Sequence, residues 1–315
     1  MERFIRIGVV TAWPEDDWHS ERLLAACGRR AETVAIDPAE LATQVGREGV
    51  LVLARGTPSG RFDAFVLARG LGPTGDPDVQ FEIYRALEGT GALLVNRLGP
   101  LLAAQDKFRT SWLLRLAGVP TPRAAVAQTA EDAERALAAL GEAVAKPLAG
   151  SLGDGVERVA HDDEGRARVR ALVRRDGAVY LQAFVPHPGT DLRIFVVGGH
   201  ARATIERHAP PGEWRTNVAR GGRTVAAAPG RSVEAVAEAA ARALGLDYAG
   251  VDLVRSGEDA TVLEVNGNPS WRGILEATGL DMAEVIAEHV LGRALLRRRS
   301  SDHIVLERST GAIHG

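Results

Sequence analysis

The sequence predicts an α/β fold that becomes α+β beyond its first hundred residues, and three observations carry that expectation. Up to about residue 97, short apolar runs bounded by Gly, Pro or Asn alternate with an apolar-periodic segment, the pattern of a small α/β domain. After about residue 186 the strands lengthen and come in adjacent pairs, one of them around Gly198-Gly199, a two-residue hairpin signal that needs positive φ. Between these regions lie two capped helices flanked by strands. The 315 residues suffice for two or three compact domains, and 45% of them are apolar, so a core is available.

Element by element, residues 5–10 read as a first strand feeding a helix over 21–31 with Leu23, Leu24 and Cys27 on its buried side. Runs at 49–54, 64–67 and 92–96 supply further strands. The first strand is not followed by Gly-x-Gly-x-x-Gly, so a dinucleotide fingerprint is not expected there. Asp106 caps a helix through Phe108, Trp112, Leu113 and Leu116, which Gly118 and Pro120 stop. Thr129 caps a second helix over 130–140, with Glu131 and Asp132 favourable in its first turn and Gly141 at its end. Strands at 142–147 and 178–185 flank it. Strands at 191–197 and 201–207 surround the Gly-Gly turn, Ser232 caps a helix ending at Gly245, and 249–255 with 260–266 form a second hairpin. A last helix spans 282–296, and 297–315 reads as a solvated tail. The expected domains are 1–97, 98–185, 186–296 and the tail 297–315.

Composition narrows the function. Lys and Arg number 38 against 41 Asp and Glu, a formal charge of −3, which excludes a generally basic protein that holds nucleic acid by bulk attraction. The single cysteine excludes an internal disulfide or a multi-cysteine zinc site and fits a reducing, cytoplasmic setting. No apolar run approaches the roughly 18 residues that span a bilayer, so no membrane partner is expected.

The most informative segment is 146–156, where Lys146 at a strand end precedes Gly150, Gly153 and Gly155. In a Walker loop the lysine follows the glycines, so this is a different device: a flap whose backbone N–H groups can close on phosphate oxygens, or else a plain Gly-rich turn. Lys107 opens the preceding helix, and the last hairpin carries Asp252, Glu264 and Asn266. If that hairpin turns through three residues, 257–259, then 252 and 264 become cross-strand partners and Asn266 shares their face. Two opposed carboxylates among apolar neighbours call for a cation, and hard oxygen donors without a thiol favour Mg²⁺ over zinc. The bland alternative is a solvated hairpin with incidental acids.

As an ordered set, Asp106-Lys107, the 146–156 strand and flap, Gln182-Ala183-Phe184-Val185, Asp191-Leu192-Arg193, Glu206-Arg207, the stretch 214–222, Ala249-Gly250-Val251-Asp252 and Leu263-Glu264-Val265-Asn266 resemble the ATP-grasp superfamily, and within it the RimK-like α-L-glutamate ligases, from about residue 96 to 291. The resemblance implies that Lys107, Lys146 and the flap residues Gly150, Ser151, Gly153 and Gly155 meet ATP phosphates. It places the backbone of Gln182, Ala183, Phe184 and Val185 at the adenine, adds Asp191 to the ATP-binding set, and gives Mg²⁺, with Mn²⁺ as an alternative, to Asp252, Glu264 and Asn266. Arg193 and Arg207 would face the γ-phosphate and the acceptor carboxylate, and Asn217 and Arg220 the acidic substrate or the transferred phosphoryl.

The implied reaction is ATP-dependent amide formation through an acylphosphate, most directly addition of L-glutamate to a carboxylate acceptor, either a protein C-terminus or a pterin-type cofactor. Such chemistry needs preplaced positive charge and no nucleophilic side chain, in keeping with the lack of a Ser/His/Asp or Cys/His set. His187 and His208 read as ordinary surface histidines. The stretches 17–19 and 267–273 are more similar to the branch acting on tetrahydromethanopterin-type cofactors, where Trp18 or Trp271 would either stack on a flat acceptor or simply pack. Two other readings stay open: a ligase of peptide or natural-product assembly using another amine, and a non-catalytic ATP-binding regulator. A homo-oligomer would be in keeping with the family.

Overall fold

The computed structural model describes residues 4–13, 17–69, 74–147, 155–216, 222–256 and 259–311. The chain gathers into two units, residues 1–98 together with 281–315, and residues 99–280. No helix among the described residues is long and apolar enough to cross a membrane.

The first unit contains β1 (Arg6–Thr11), α1 (Trp18–Gly28), β2 (Glu32–Ile36), β3 (Leu41–Gly46), β4 (Gly49–Ala54), β5 (Thr57–Pro58), β6 (Ala64–Arg69), α2 (Pro77–Gly89) and β7 (Leu94–Val95). Strands β2-β1-β6-β7 form a parallel sheet. The run 49–54, expected beside them, pairs instead with β3 and β5 in a separate antiparallel sheet. Residues 64–68 of β6 are all buried, as a strand covered on both faces must be, whereas the first three residues of β4 are exposed, and a half-wet strand belongs in an antiparallel hairpin. Helix α1 starts three residues earlier than its apolar period shows, because Asp17 caps it by accepting from the Ser20 backbone N–H at 2.9 Å. Cys27 is fully buried as expected, and burial pushes its thiol up to about 12.

The second unit takes in nearly all of α3 (Leu98–Gln105) and then α4 (Lys107–Leu116), β8 (Ala124–Ala127), α5 (Ala130–Leu140), β9 (Glu142–Lys146), β10 (Glu157–Ala160), α6 (Asp163–Asp176), β11 (Val179–Ala183), β12 (Thr190–Val197), β13 (His200–His208), β14 (Arg223–Ala226), α7 (Arg231–Leu244), β15 (Tyr248–Ser256), β16 (Asp259–Asn266) and α8 (Arg272–Thr278). Two antiparallel sheets result, ordered β10-β9-β11-β8 and β14-β13-β12-β15-β16. The first buries Ala143, Ala145 and Leu181 against Ala133 and Leu137 of α5 and Val169 and Leu172 of α6. The second buries Leu192, Ile194, Val251, Leu253 and Val265 against Val233, Ala237, Ala240 and Leu244 of α7.

Asp106 and Thr129 cap their helices as expected, accepting from the N–H groups of Arg109 and Asp132. Ser232 does not: α7 begins one residue before it, its N-cap is Gly230 at φ +95°, and Arg231 fixes the first two turns by pairing with Glu238 at 2.6 Å.

The two sheets are joined inside this unit. Val262 N–H donates to the Pro120 carbonyl at 2.8 Å, Thr121 Oγ1 donates to Val262 O at 3.1 Å, and Gln182 Nε2 donates to Leu263 O at 3.2 Å.

The last helix, α9 (Met282–Gly311), corrects two expectations. It does not stop at 296, and it groups with the first unit, not with the strands that precede it. Arg22 of α1 meets Asp281 at 2.8 Å, and Glu284 pairs with both Arg29 and Arg30, the latter at 2.6 Å. Arg298, which falls in the expected solvated tail, holds the Asp63 carboxylate with bonds of 2.6 and 2.7 Å and donates to Phe4 O. Burial raises the Glu284 carboxyl, but its bonds to Arg30 and Arg29 outweigh that and keep it below its ordinary value. A depressed carboxyl contributes stability that is present above the unfolded value and lost as pH falls through the folded one. Glu284→Gln should therefore lower stability by about 1 kcal/mol or less at pH 7, and in thermal melts across pH the gap to wild type should close below about pH 4.

Candidate active site

In β12, β15 and β16 alternate apolar residues, Leu192, Ile194, Val251, Leu253 and Val265 among them, pack toward α7, and the opposite face combines the buried Phe195 and Ile205 with polar residues. That second face carries Asp191 and Arg193, Arg207, Asp252, and Glu264 with Asn266. Two bulges set the alignment. In β12–β13 the Gly198-Gly199 turn pairs Val197 with His200 and Val196 with Ala201, after which Arg202 is skipped and the register becomes Asp191 opposite Arg207. In β15–β16, Ser256 pairs with Asp259, so the turn has two residues and not the expected three. Leu263 is then bulged out, and Asp252 still faces Glu264, with Gly250 opposite Asn266. The expected cross-strand carboxylate pair thus forms by a different local device. Gly250 is required there, since a Cβ would stand 2.8 Å from the Pro269 Cβ.

Asp252 is the centre of the site. Arg193, its neighbour across β12, grips it with two bonds, Nε to Oδ1 and Nη2 to Oδ2, each 2.7 Å. Arg207 reaches Asp252 Oδ2 at 3.0 Å and forks onto Asp191 at 2.7 and 2.5 Å. Asp191, Arg207 and Asp252 are all buried, so this is a charge-balanced quartet in a low-dielectric place. Burial raises the Asp252 carboxyl, and the charges of Arg193 and Arg207 with their hydrogen bonds more than reverse that, leaving it well below the usual carboxylate range. Arg193 and Arg207, expected to face substrate groups, are directed at acids of the protein itself.

Lys146 ends β9 on the same sheet face as Tyr180 and Gln182 of β11. Its Nζ donates to Gln182 Oε1 at 2.7 Å, while Gln182 Nε2 holds the Leu263 carbonyl of β16. Burial lowers the ammonium first of all, the Lys107 charge lowers it further, and Glu264 and Asp252 raise it. These interactions put Lys107, Lys146, Asp252 and Glu264 within one electrostatic neighbourhood. Lys107 sits there because Asp106 caps α4, whose Ser111 Oγ lies 2.8 Å from the Tyr180 hydroxyl.

The segment 182–185 leaves β11 with two of its N–H groups engaged: Ala183 donates to Arg123 O and Phe184 to Glu142 O. The Phe184 ring lies under the Arg158 guanidinium at 3.9 Å and near His187 and Trp214, each at 5.9 Å. Of the flap, Gly155 is described, at φ +68° with Pro147 Cγ 2.9 Å from where a Cβ would be, and its conformation suits glycine alone. Gly150, Ser151, Gly153, Asn217 and Arg220 lie outside the described residues. Sequence reasoning missed Arg215, which donates to Val156 O at 3.2 Å and pairs with Glu213 at 2.6 Å, holding the stem of one of these segments to the stem of the other.

Whether a divalent cation suits the site follows from the donor chemistry. No three His, Cys, Asp or Glu residues among those described form a metal-holding group, but two carboxylates and the Asn266 amide share one sheet face. Asn266 Nδ2 is buried without a hydrogen-bond partner, so no protein contact fixes the amide against presenting its oxygen. A carboxylate has about four acceptor sites; Arg193 uses two on Asp252 and Arg207 one, which leaves one on Oδ1. The set fits a hard cation such as Mg²⁺.

Of the two aromatic candidates, Trp271 is settled as core. It is 3% exposed and meets Phe195 edge-on at 6.2 Å, so it offers no face to a ligand. Trp18 stands in the first turn of α1, with Arg22 5.0 Å from its ring centroid. Trp271→Ala should cost about 3–5 kcal/mol of stability, seen as a lower midpoint in urea unfolding.

A model of the RimK-like ATP-grasp domain matches residues 104–290. The chain belongs to the RimK-like ATP-grasp family. It is 31% identical over 320 residues to a tetrahydromethanopterin:alpha-L-glutamate ligase from Methanosarcina acetivorans, covering 90% of this chain and 98% of that one. It is 34% identical over 277 residues to a probable alpha-L-glutamate ligase from Stenotrophomonas maltophilia, covering 87% and 94%. Among solved structures, the ATP-grasp ligase PsnB complexed with minimal precursor superposes with a TM-score of 0.71 at 21% identity, covering 92% of this chain and 99% of that one. A RimK domain ATP-grasp protein from Sphaerobacter thermophilus gives 0.63 at 23%, covering 91% and 99%. At these identities the structural likenesses establish the ATP-grasp fold, which the sequence had predicted.

Proposed function

We propose that this RimK-like ATP-grasp protein, an ATP- and Mg²⁺-dependent ligase, joins the amino group of L-glutamate to a carboxylate acceptor, and that the acceptor is a small pterin-type cofactor in preference to a protein C-terminus. The observation that carries the reading is the convergence of Lys107, Lys146, Asp252 and Glu264 on one neighbourhood, with Asn266 on the same sheet face as the acids. The choice of glutamate and of acceptor is supported by near full-length similarity to the methanopterin-directed relative.

The chemistry proceeds in two transfers. An acceptor carboxylate oxygen attacks the γ-phosphorus of ATP, the bond to the bridging oxygen breaks, and ADP departs, leaving an acylphosphate. The glutamate amine, as free base, then attacks the acyl carbon; inorganic phosphate leaves with the bonding electrons, and the amine loses a proton. Negative charge collects first on the phosphoryl oxygens and then on the tetrahedral oxyanion, and fixed cations stabilise both. Lys107 and Lys146 hold the phosphates, and Gln182 fixes the Lys146 ammonium. Because the Ala183 and Phe184 N–H groups are spent, adenine is met by the carbonyls of 182–185 and by Val185 N–H. Asp191 keeps Arg207 in place, and Arg193 and Arg207 add positive charge beside the reacting groups while holding Asp252; Asn217 and Arg220 meet the acidic substrate or the transferred phosphoryl, and the flap residues Gly150, Ser151, Gly153 and Gly155 close on the ATP phosphates. Asp252, Glu264 and Asn266 would hold Mg²⁺, or Mn²⁺, which supplies charge neutralisation between the phosphates. Residues 98–185 and 186–280 are the two halves of the clamp. A cytoplasmic setting belongs to the same reading and rests on the lone, buried, unpaired Cys27.

Lys146→Ala should abolish ATP turnover, a loss of at least about 100-fold in kcat/KM, while the circular dichroism spectrum is retained; a fully active variant would exclude the phosphate role. Glu264→Gln is the cleaner metal variant, because Asp252→Asn also releases two arginines. It should raise the Mg²⁺ concentration for half-maximal rate roughly tenfold or more, and an unchanged Mg²⁺ dependence would remove Glu264 from the metal set. The reaction itself is read as phosphate release from ATP with a panel of amines, a pterin-type acceptor or a peptide, and mass spectrometry of the product. Glutamate-dependent release with a gain of one or more glutamyl units is expected. ATP binding with no stimulation by any amine would favour a regulator, and stimulation by a different amine a natural-product ligase.

A further inference from the structure

Helix α4 brings a second positive charge to a place that already holds one. Lys107 opens the helix, adds to the positive end of its dipole, and lowers the Lys146 ammonium by like-charge repulsion. Something must hold α4 against that repulsion, and its buried side chains show what does. Thr110 donates back to Ala103 O of α3 at 2.9 Å, Leu114 lies in the core shared with α7, and Ser111 Oγ meets the Tyr180 hydroxyl of β11 at 2.8 Å. Of these three attachments, the Ser111–Tyr180 bond is the one to the sheet that carries Lys146.

Both ends of that bond are in register with a lysine. Ser111 follows Lys107 by four residues, so the two share one helix face, about 6 Å apart along the axis. Tyr180 stands directly opposite Lys146 across β9–β11. Gln182, two residues along the same face of β11, accepts from Lys146 Nζ and donates to Leu263 O. Strand β11 thus grips one lysine directly and, through Tyr180, the helix that carries the other. Ser111 and Tyr180 are 8 and 1% exposed. An alanine and a phenylalanine would fill the same space without desolvating two hydroxyls, and a neutral buried hydrogen bond adds little net stability. What it supplies is a fixed distance and direction. Burial first of all pushes the Tyr180 hydroxyl up to about 12, and the charges of Glu264 and Asp106 act the same way, so it stays protonated. We propose that Tyr180 is a positioning residue for ATP: through Ser111 it fixes α4 so that the Lys107 ammonium stands beside Lys146 before the nucleotide arrives, ready for the phosphates. The proposal rests on the phosphate role given above to the two lysines.

Titration calorimetry of ATP with Mg²⁺ on the full chain tests this, in Tyr180→Phe, Ser111→Ala and Lys107→Ala, singly and combined, at a temperature well below every melting midpoint. Tyr180→Phe and Ser111→Ala should each weaken ATP binding about 5- to 10-fold, and Lys107→Ala about 10-fold or more. The combinations carry the decision, because residues that act through one another do not add. Tyr180→Phe should cost less than about twofold once Lys107→Ala is present, and the Tyr180→Phe/Ser111→Ala pair should be no weaker than either alone. A bond that served only the fold would lower the melting midpoint and leave ATP affinity at that temperature as in wild type. Unchanged affinity in Tyr180→Phe and Ser111→Ala beside a weakened Lys107→Ala would overturn the proposal, as would losses that multiply in the Tyr180→Phe/Lys107→Ala chain. Affinity undiminished by Lys107→Ala would instead remove the phosphate role of Lys107, and this proposal with it.

Discussion

The site depends on keeping one carboxylate, that of Asp252, ionised inside the protein. An isolated buried charge costs several kcal/mol, and three strands contribute to offset it: β15 carries the acid, β12 delivers Arg193 directly across from it, and β13 delivers Arg207, itself held by Asp191. Shifting any of these strands by one residue would send a charge into the α7 core and an apolar side chain into the site. The energetics of the site and the register of the sheet are therefore one constraint. The same constraint explains why an acid committed to two arginines still has capacity for a cation, since one acceptor position of Asp252 remains.

Much of this was legible in the sequence. Caps such as Asp106 and Thr129, the two-residue turn at Gly198-Gly199 and the alternation of acids with apolar residues in 249–266 all report local preferences, and local preferences are what a sequence displays. The two bulges were not legible. Counting back from the Gly-Gly turn without skipping Arg202 sets Asp191 opposite Glu206, which would hide the Asp191–Arg207 pair. Likewise the Asp252–Glu264 pairing was reached by assuming a longer turn, when the extra residue is Leu263, within the strand. A bulge is chosen by the packing of the finished sheet and leaves no residue signature that periodicity would detect.

Charge partners far apart in sequence escaped for a related reason. The arginines at 193 and 207 were expected to look outward at substrate because nothing in their neighbourhood of the chain announces Asp252. The Arg297–Arg299 run was read as solvated because its partner, Asp63 for Arg298, is 235 positions away. Trp271, offered by the sequence as either a flat surface for an acceptor or a packing residue, is used by the core.

The placement of α9 has a consequence for how the molecule is made. Its residues from 281 onward complete the unit that begins the chain, through Arg22, Arg29, Arg30 and Asp63. During synthesis the ATP-grasp unit, 99–280, is therefore whole and able to fold while the first unit still lacks a helix. The first unit waits with α1 uncovered until the residues from 281 onward have been made, so the unit that is begun first is completed second.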